Sequence, residues 1–306
     1  MKSALIGILL SIIPLFSLAN EIDNLKTTAD VESFIHKLSF WGKDSGMYDE
    51  ENMAKLIINP DNYGDEVANQ QIAKKLGIKE WQKTDLNNDG RTDLIAFLGF
   101  KEDGECLWVA VLDHGDKYYL HTIAYSNYSP NYFVSVKTVK NTPEILLYEY
   151  SGEPGEKRTY VKTTTLVCKF NELVELQGNN DSHIITKIDY ALMGRWRGHR
   201  YNLSISANGT WRCKQVRYPK DTISYSGKID VVQKDELLSL LNYINFSKLD
   251  TNYSTHSTDQ EYCELLITYD NGKTKKIGDY GLEGTYGLKA VYNKFWNLAR
   301  VAIKSN

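Results

Sequence analysis

Apolar residues recur at helical spacing near the start of the chain. The positions that define the first predicted helix are Val31, Phe34, Ile35 and Leu38. Asp30 stands where a helix cap is expected, and residues 51–58 and 67–76 repeat the same spacing. A nearly continuous apolar run at 94–100 is typical of a strand buried on both faces. We therefore predict a short helical lead followed by a β-sheet.

Turn signals separate the strand patterns that follow. Residues 107–112 and 118–124 flank the segment 113–116, Asp-His-Gly-Asp, which is typical of a hairpin turn. Further strands are predicted at 132–139, 145–150 and 160–170. The first half of the chain is thus predicted to be an antiparallel sheet.

A polar, turn-rich segment at 177–182 is a candidate linker to a second set of elements. The elements predicted after it are strands at 201–206, 210–216 and 224–232, a helix at 235–244, strands at 262–269 and 274–280, and a helix at 288–303. Asn208-Gly209 and Asp270-Asn271-Gly272 mark two hairpins. The order β-β-β-α-β-β-α gives the α+β class.

The first residues resemble a cleaved secretory signal. Lys2 precedes the apolar stretch 4–16, and Ser17-Leu18-Ala19 offers small residues where a signal peptidase cleaves. The apolar stretch is shorter than the roughly 20 residues that span a bilayer. We therefore expect residues 1–19 to be removed and the mature protein, from Asn20, to be periplasmic or secreted.

Charge divides the mature chain into two halves. Residues 20–190 hold 18 Lys and Arg against 28 Asp and Glu, whereas residues 191–306 hold 17 against 11. We predict an acidic β-rich domain at 20–185 and a basic α+β domain at 190–306. The asymmetry indicates either an anionic partner for the basic half or attraction between the halves.

Export also changes what the four cysteines indicate, because an oxidising compartment lets thiols pair. Cys106 and Cys168 fall in the acidic half, and Cys213 and Cys263 fall in the basic half. One disulfide bond in each half is the simplest prediction, and four buried thiols are the alternative. No CxxC motif is present, which disfavours a zinc or redox role.

The most specific motif is the run 85–94, Asp-Leu-Asn-Asn-Asp-Gly-Arg-Thr-Asp-Leu. It places oxygen side chains at alternate positions and contains a glycine that permits a sharp turn. The predicted calcium ligands are Asp85, Asn87, Asp89, the carbonyl of Arg91, and Asp93. Ala96 stands where an EF-hand has its last glutamate, and a strand follows, so the loop is not an EF-hand. A metal-free turn rich in Asn and Asp is the alternative.

This run resembles the Asp-rich loops of FG-GAP and VCBS-type repeats, which are extracellular β modules. The resemblance implies that the alternating oxygens bind Ca²⁺ between two strands. It covers about ten residues directly, and no further copy of the motif indicates a repeat array.

Residues from about 196 to 300 resemble an uncharacterised domain of secreted bacterial proteins. The matching segments are 203–210, 225–228, the helix 236–242 leading to Phe246, Asp259 before a strand, and 272–275. The Gly-x-Cys-Pro segment common in that family is replaced here by Gly198-His199-Arg200-Tyr201. The resemblance implies a fold and a secreted setting, and no activity.

A basic and aromatic segment at 195–201, with Arg212, Lys214, Arg217 and Lys220 after it, favours a protein or an anionic envelope glycan as partner. Nucleic acid fits an exported protein poorly. A solvated strand face is the alternative. Glycines at 278, 281, 284 and 287 precede the last helix, where an anion can bind or the chain can simply turn.

The usual nucleophile, zinc and phosphate-loop motifs are absent, and the six histidines are scattered. We therefore expect an exported, non-catalytic binding protein that is stabilised by calcium. Two alternatives remain open: a cell-envelope hydrolase whose site is assembled by the fold from carboxylates or His199, and a periplasmic inhibitor or immunity-type protein.

Overall fold

The computed structural model describes residues 20–38, 56–57, 67–100, 106–126, 131–152, 157–194, 200–217 and 221–304. The chain forms two compact units. The first extends to Asn131, and the second begins at Tyr132, with the short segment 153–157 grouped with the first. The predicted signal and most of the predicted helix at 51–58 lie outside the described residues. Among the described helices, none is long and apolar enough to cross a bilayer.

The first unit is a five-stranded antiparallel sheet with two described α-helices. Its elements are α1 (Thr28–Lys37), β1 (Leu56–Ile57), α2 (Val67–Leu76), β2 (Trp81–Thr84), β3 (Asp93–Phe100), β4 (Cys106–Asp113) and β5 (Tyr118–Ser126). One edge of β3 pairs with β4, and the other edge pairs with β2 and β1 in turn. The helix predicted at 51–58 is therefore wrong at residues 56–57, which form a strand beside Phe100 and Gly99.

Helix α1 covers one face of this sheet. Its residues Val31, Phe34 and Ile35 are fully buried in a core shared with alternate residues of β3 and β4. Thr27 is the N-cap, and its side chain accepts the Asp30 N–H while the Asp30 carboxylate accepts the Thr27 N–H. Asp30 thus completes a capping box, and the predicted cap lies three residues too late.

The second unit begins with an antiparallel meander of four strands. These are β6 (Tyr132–Val139), β7 (Thr142–Ser151), β8 (Thr159–Lys169) and β9 (Glu172–Glu175). Val167 and Val174 contribute to the large core of the second unit. The charge pattern places this meander in the acidic domain predicted at 20–185, whereas the compact units divide before it.

A seven-stranded sheet with two α-helices forms the rest of the second unit. Its elements are β10 (Ile185–Met193), β11 (Arg200–Ser206), β12 (Thr210–Arg217), β13 (Asp221–Lys228), α3 (Val231–Tyr243), β14 (Asn252–Ser254), β15 (Tyr262–Tyr269), β16 (Lys273–Tyr280) and α4 (Tyr286–Lys304). The strand order is β13-β12-β11-β10-β15-β16-β14, and only the short β14 runs parallel to its neighbour. The α+β prediction is confirmed in outline, and β10 and β14 are additions to the predicted order.

Both predicted hairpins have the backbone that their sequences favour. Gly209 adopts a φ of 82°, and the Asn208 side chain accepts the Thr210 N–H at 2.9 Å. Asp270, Asn271 and Gly272 have φ values of 38°, 63° and 93°. Asn and Asp tolerate the left-handed region better than most residues, which explains why these turns are found here.

The two helices of the seven-stranded sheet cover one of its faces. Helix α3 contributes Leu237, Leu240 and Leu241, and α4 contributes Val291 and Phe295. Inward residues on the central strands alternate with exposed polar residues. The opposite face of the sheet is therefore polar, as expected for an antiparallel sheet with one covered face.

The segment predicted as a linker at 177–182 is held by side chains from the end of α3 and the residues just after it. The Gln177 N–H donates to the Tyr243 hydroxyl at 3.3 Å, and the Asp181 N–H donates to Asn245 Oδ1 at 2.9 Å. The Asn245 amide donates in turn to the Asn179 carbonyl at 3.0 Å. The segment is thus an integral part of the second unit.

None of the four cysteines forms a disulfide bond. Cys213 faces the core from β12 and Cys263 faces it from β15, with β11 and β10 between them. Three strand spacings of about 4.8 Å separate their Cα atoms by roughly 14 Å, about twice the limit for a disulfide bond. The predicted pairing in the basic half is therefore wrong, and burial raises the pKa of the Cys263 thiol to about 12.

Candidate functional sites

The predicted cation loop lies between β2 and β3. The two carboxylate oxygens of Asp85 accept the N–H groups of Asp89 and Gly90 at 3.1 and 2.8 Å. Asn87 Oδ1 accepts the Asp89 N–H at 3.0 Å. Asp89 accepts the Arg91 N–H at 2.8 Å and the Asn87 side-chain N–H at 3.0 Å. Each of the alternating side chains therefore accepts a hydrogen bond from within the loop.

Asp93, the last predicted ligand, is fully buried at the start of β3. Its Oδ2 atom accepts the Leu86 N–H at 2.7 Å, and its Oδ1 atom accepts the Asp113 N–H at 2.8 Å. Burial raises the pKa of Asp93 to about 7; its hydrogen bonds oppose the rise, and the charges of Asp89 and Asp85 add to it. Asp93 thus connects the loop to the hairpin turn after β4, close to the negative charges of Asp89 and Asp85.

Arg91 directs its side chain to that same hairpin turn. Gly115 has a φ of 90°, and a Cβ atom there would meet the Arg91 guanidinium carbon at 2.8 Å. No group of three or more His, Cys, Asp or Glu side chains in the described part of the chain is arranged to hold a metal ion. Calcium binding by Asp85, Asn87, Asp89, Arg91 and Asp93 remains a prediction.

The open face of the seven-stranded sheet carries polar side chains in cross-strand rows. Arg212 on β12 lies between Ser204 on β11 and Ser226 on β13, and Ser204 is followed by Asp189 on β10. Lys214 takes the equivalent place in the next row. Because directly opposed residues have Cβ atoms about 5 Å apart, the rows form a continuous polar surface.

A groove of about 610 Å³ crosses this surface over β12, β11, β10 and β15. Its lining includes Asn202, Ser204, Ser206, Thr210, Arg212 and Lys214. The two acids in the groove are paired with lysines: Asp189 with Lys187 at 2.8 Å, and Glu264 with Lys276 at 2.7 Å. The remaining charge of the groove is therefore positive.

Four exposed cations form what we call the basic face: Arg200, Arg212, Lys214 and Lys228. None of them forms an ion pair with another described residue. Of the basic patch predicted from the sequence, residues 195–199 and 218–220 lie outside the described residues. Arg200, Arg212 and Lys214 are brought together by the pairing of β11 with β12.

At the start of α4 the sequence left two alternatives, an anion site or an ordinary connection, and the structure places a carboxylate of the protein itself there. The Glu175 carboxylate, at the end of β9, accepts the N–H of Tyr286 at 2.6 Å and that of Gly287 at 2.9 Å. The buried Asp279 carboxylate accepts the N–H groups of Glu283 and Gly284 in the preceding loop. These glycines therefore belong to a rigid connection, and the helix N-terminus is satisfied internally.

Three polar side chains meet near the start of β10. His183 Nδ1 lies 2.5 Å from Asp270 Oδ2, and His183 Nε2 lies 3.0 Å from Ser247 Oγ. The imidazole also contacts the rings of Phe246 and Tyr269, with centroid distances of 5.4 and 4.9 Å. The fold thus assembles a serine, a histidine and an aspartate that are far apart in sequence. His199, the histidine considered from the sequence, lies outside the described residues.

Residues 198–299 match a domain of unknown function, DUF6438. The match agrees with the resemblance of this region to an uncharacterised domain, and no FG-GAP or VCBS family matches the chain. No curated protein and no solved structure matches it. The matched region contains the basic face, Ser247 and Asp270, whereas His183, Glu175 and the Asp-rich loop precede it.

Several of these residues were not predicted from the sequence. Strand β10 carries Lys187 and Asp189 on the open face, and their alternation with Ile188 and Tyr190 was a readable strand signal. His183, Ser247 and Asp270 had no such signal, because their contacts span 64 and 87 residues of sequence.

Proposed function

We propose that the protein is an exported binding protein that holds an anionic glycan of the cell envelope on the open face of its seven-stranded sheet. The observation that carries this proposal is the basic face, whose four cations have no acidic partner among the described residues. Unneutralised cations that share one surface attract fixed anions. Arg200 and Arg212 also suit carboxylate or phosphate groups, which a guanidinium can bind through two parallel hydrogen bonds.

The other side chains of the groove favour a glycan over an acidic protein. Asn202, Ser204, Ser206 and Thr210 offer hydroxyl and amide groups between the cations, and sugar hydroxyls can exchange hydrogen bonds with them. Protein partners are usually anchored by aromatic side chains in desolvated pockets. The described lining of the groove includes no exposed aromatic residue of that kind.

Binding to soluble polymers of known charge tests this function. We expect a polyuronate to bind and neutral dextran not to bind, with affinity falling as salt is raised. The double variant Arg212→Ala/Lys214→Ala should bind the polyuronate at least 10-fold more weakly, on the order of the 1.4 kcal/mol that two charge-assisted contacts supply. Lys74→Ala/Lys75→Ala removes the same charge from α2 and should bind as the wild type does.

Other outcomes of this experiment identify the alternatives. Equal binding of neutral dextran, or an unchanged affinity of the Arg212→Ala/Lys214→Ala variant, contradicts the proposal. Binding of poly-glutamate without binding of the polyuronate favours an acidic protein partner, which is the inhibitor or immunity-type hypothesis.

Calcium binding to the Asp-rich loop forms the second part of the proposed function. Asp85, Asn87 and Asp89 supply the oxygen ligands that Ca²⁺ prefers, and the negative charges of Asp89 and Asp85 add to the raised pKa of Asp93. Their oxygens accept loop N–H groups through one lone pair and retain a second. Ca²⁺ would stabilise the first unit by neutralising the charges of Asp85 and Asp89.

Thermal unfolding with and without Ca²⁺ tests the calcium part. Extracellular sites have dissociation constants on the order of 10⁻⁴ to 10⁻³ M, so 10 mM Ca²⁺ should add about 1 to 3 kcal/mol to the free energy of unfolding. Asp89→Ala should abolish the response, and Asp116→Ala, in the hairpin turn, should retain it. An equal response to Mg²⁺, or none in the wild type, contradicts a calcium site.

Export is tested on the protein recovered from its producing cells. We expect the intact mass to correspond to a chain that starts at Asn20, and the protein to be found outside the cytoplasm. A cytoplasmic protein that retains residues 1–19 would overturn this part of the proposal.

A further inference from the structure

We propose that Ser247, His183 and Asp270 form an activated serine that small carboxylic esters acylate. The three side chains follow the order nucleophile, base and orienting acid, with hydrogen bonds of 3.0 Å from Ser247 Oγ to His183 Nε2 and 2.5 Å from His183 Nδ1 to Asp270 Oδ2. Such arrangements recur on unrelated folds and are recognised by geometry instead of sequence order. The activity would be separate from glycan binding at the basic face.

The hydrogen-bond chemistry fixes where the protons lie. An ionised Asp270 can only accept, so His183 Nδ1 carries a hydrogen. In the neutral imidazole Nε2 is then the acceptor, and the Ser247 hydroxyl donates to it. This is the tautomer in which histidine can remove the serine proton. The hydrogen bond from His183 is also the largest cause that lowers the pKa of Asp270.

The fold holds the histidine firmly. The His183 N–H donates to Asn242 Oδ1 at 3.0 Å, and the Asn242 amide donates to the His183 carbonyl at 3.2 Å. The rings of Phe246 and Tyr269 flank the imidazole. Backbone and ring are thus positioned independently of the serine.

Hydrogen bonds also fix the position of Asp270. Asp270 has a φ of 38°, which is uncommon for a residue with a side chain. Its Oδ1 atom accepts the Ile184 N–H at 2.9 Å, and its own N–H donates to the Ile184 carbonyl at 3.0 Å. The hairpin turn that contains Asp270 and its two hydrogen bonds to Ile184 therefore fix the position of the carboxylate.

The serine is the residue that a purely structural connection does not require. Asp270 and Asn242 already fix His183 through three hydrogen bonds, and Asp270 also accepts the N–H of the neighbouring Ile184. Ser247 lies on the short 3₁₀ helix Phe246–Lys248, and the contact described for its hydroxyl is the one to His183. The hydroxyl therefore places a proton donor 3.0 Å from the imidazole nitrogen that can accept its proton.

The three side chains are partly exposed to solvent. The His183 and Asp270 side chains are 18% and 28% exposed, and Ser247 is half-buried. The neighbouring Ile184 is 76% exposed and offers an apolar contact for a short acyl chain. The substrate class that fits is a small ester with a good leaving group.

The reaction is an acyl transfer. Ser247 Oγ attacks the ester carbonyl carbon, and its proton moves to His183 Nε2. The bond from carbonyl carbon to alkoxy oxygen then breaks, and His183 returns the proton to the leaving alcohol. Water repeats the sequence on the acyl-serine and releases the carboxylic acid. General-base assistance of this kind typically contributes a factor of about 10² to 10⁴.

An organophosphonofluoridate tests the serine without requiring a known substrate. Attack by Ser247 Oγ forms a phosphorus–oxygen bond and releases fluoride, and the serine proton leaves with it. We expect one phosphonyl group per folded chain, found by peptide mass spectrometry on the peptide that contains Ser247. Within the same sample Ser226, an exposed strand serine without a histidine partner, should be labelled at least 100-fold more slowly.

Variants separate reactivity from structure. Ser247→Ala should abolish labelling, and Ser226→Ala should leave it unchanged. Asp270→Asn retains an acceptor for the Ile184 N–H but alters the imidazole tautomer, so the labelling rate should fall at least 10-fold while the midpoint of thermal unfolding changes little. Equal labelling of Ser247 and Ser226 in the wild type, or an Asp270→Asn variant that is folded and labelled at the wild-type rate, would show that the three residues only connect the chain.

Discussion

Asp93 Oδ1 accepts the backbone N–H of Asp113 at 2.8 Å, and this bond joins the Asp-rich loop to the hairpin turn that follows β4. The other carboxylate oxygen accepts the Leu86 N–H at 2.7 Å. Asp93→Ala would leave both buried N–H groups unpaired, at about 1 to 3 kcal/mol each. We expect the first unit to lose about 2 to 5 kcal/mol of stability, measured by urea unfolding without Ca²⁺. Asp116→Ala should cost under about 0.5 kcal/mol, and equal losses in the two variants would contradict the role of Asp93.

Asn20, the first residue described, connects the N-terminus to the same loop. Its amide donates to the Thr92 carbonyl at 2.7 Å, and its Oδ1 atom accepts the Asp23 N–H at 2.8 Å. Asn20→Ala removes both bonds and should lower the stability of the first unit by about 1 to 2 kcal/mol. Hydrogen exchange at residues 85–92 should accelerate as well. Asn24→Ala, which loses one exposed bond of 3.4 Å, is the control and should leave that exchange unchanged.

Glu175 provides a similar test in the second unit, because its carboxylate accepts two N–H groups at the start of α4. We expect Glu175→Ala to destabilise this unit by about 1 to 3 kcal/mol, and Glu175→Gln, which keeps one acceptor and loses the charge, by less. Circular dichroism during thermal unfolding measures both. Glu283→Ala removes an exposed side chain nearby and should be almost neutral. A neutral Glu175→Ala would show that the helix start is satisfied in another way.

The stability of the second unit should depend on pH through Glu172. Burial raises the pKa of Glu172 to about 7 from an ordinary value of 4.5, despite a hydrogen bond from Asn293 and the charge of Lys294. Below pH 4.5 the group is protonated in both states, whereas above pH 7 folding must bury its charge. The free energy of unfolding should therefore fall as the pH rises from 4.5 to 7, and remain lowered above it.

Glu172→Gln removes this titration. The variant should match the wild type at pH 4 and exceed it at pH 8, by on the order of 1 to 3 kcal/mol after allowance for partial exposure. Urea unfolding across this range provides the measurement, and the difference between the two proteins cancels the contribution of other titrating groups. A difference that does not change with pH would contradict the raised pKa.

The elements were predictable where the hydrophobic period was clear and turn residues bounded it. Strands β6 and β15 have the predicted limits, 132–139 and 262–269. Strand β10 was missed because turn-rich residues precede it and the charge pattern placed a domain boundary across it. Its own residues alternate as a strand does, whereas its central place between β11 and β15 depends on long-range pairings that local sequence does not show.

The candidate sites, like the elements, could be predicted from the sequence only in part. The spacing of Asp85, Asn87 and Asp89 predicts that their oxygens lie together in one loop. It does not reveal that N–H groups of the same loop donate hydrogen bonds to those oxygens. Arg212 and Lys214 stand out by composition, whereas their lack of acidic partners depends on the registers of four strands. Ser247 could be placed beside His183 only once the end of α3 had been packed against the start of β10.

The central position of β10 has a practical consequence for work on this domain. Residues 198–299 contain β11 and β15 but not the strand that lies between them, nor the Glu175 carboxylate at the start of α4. A fragment cut at the limits of the family match would leave a gap in the middle of its sheet and an exposed strand edge on either side, which invites aggregation. A shortened protein that carries this module should instead begin at Tyr132, where the compact unit begins.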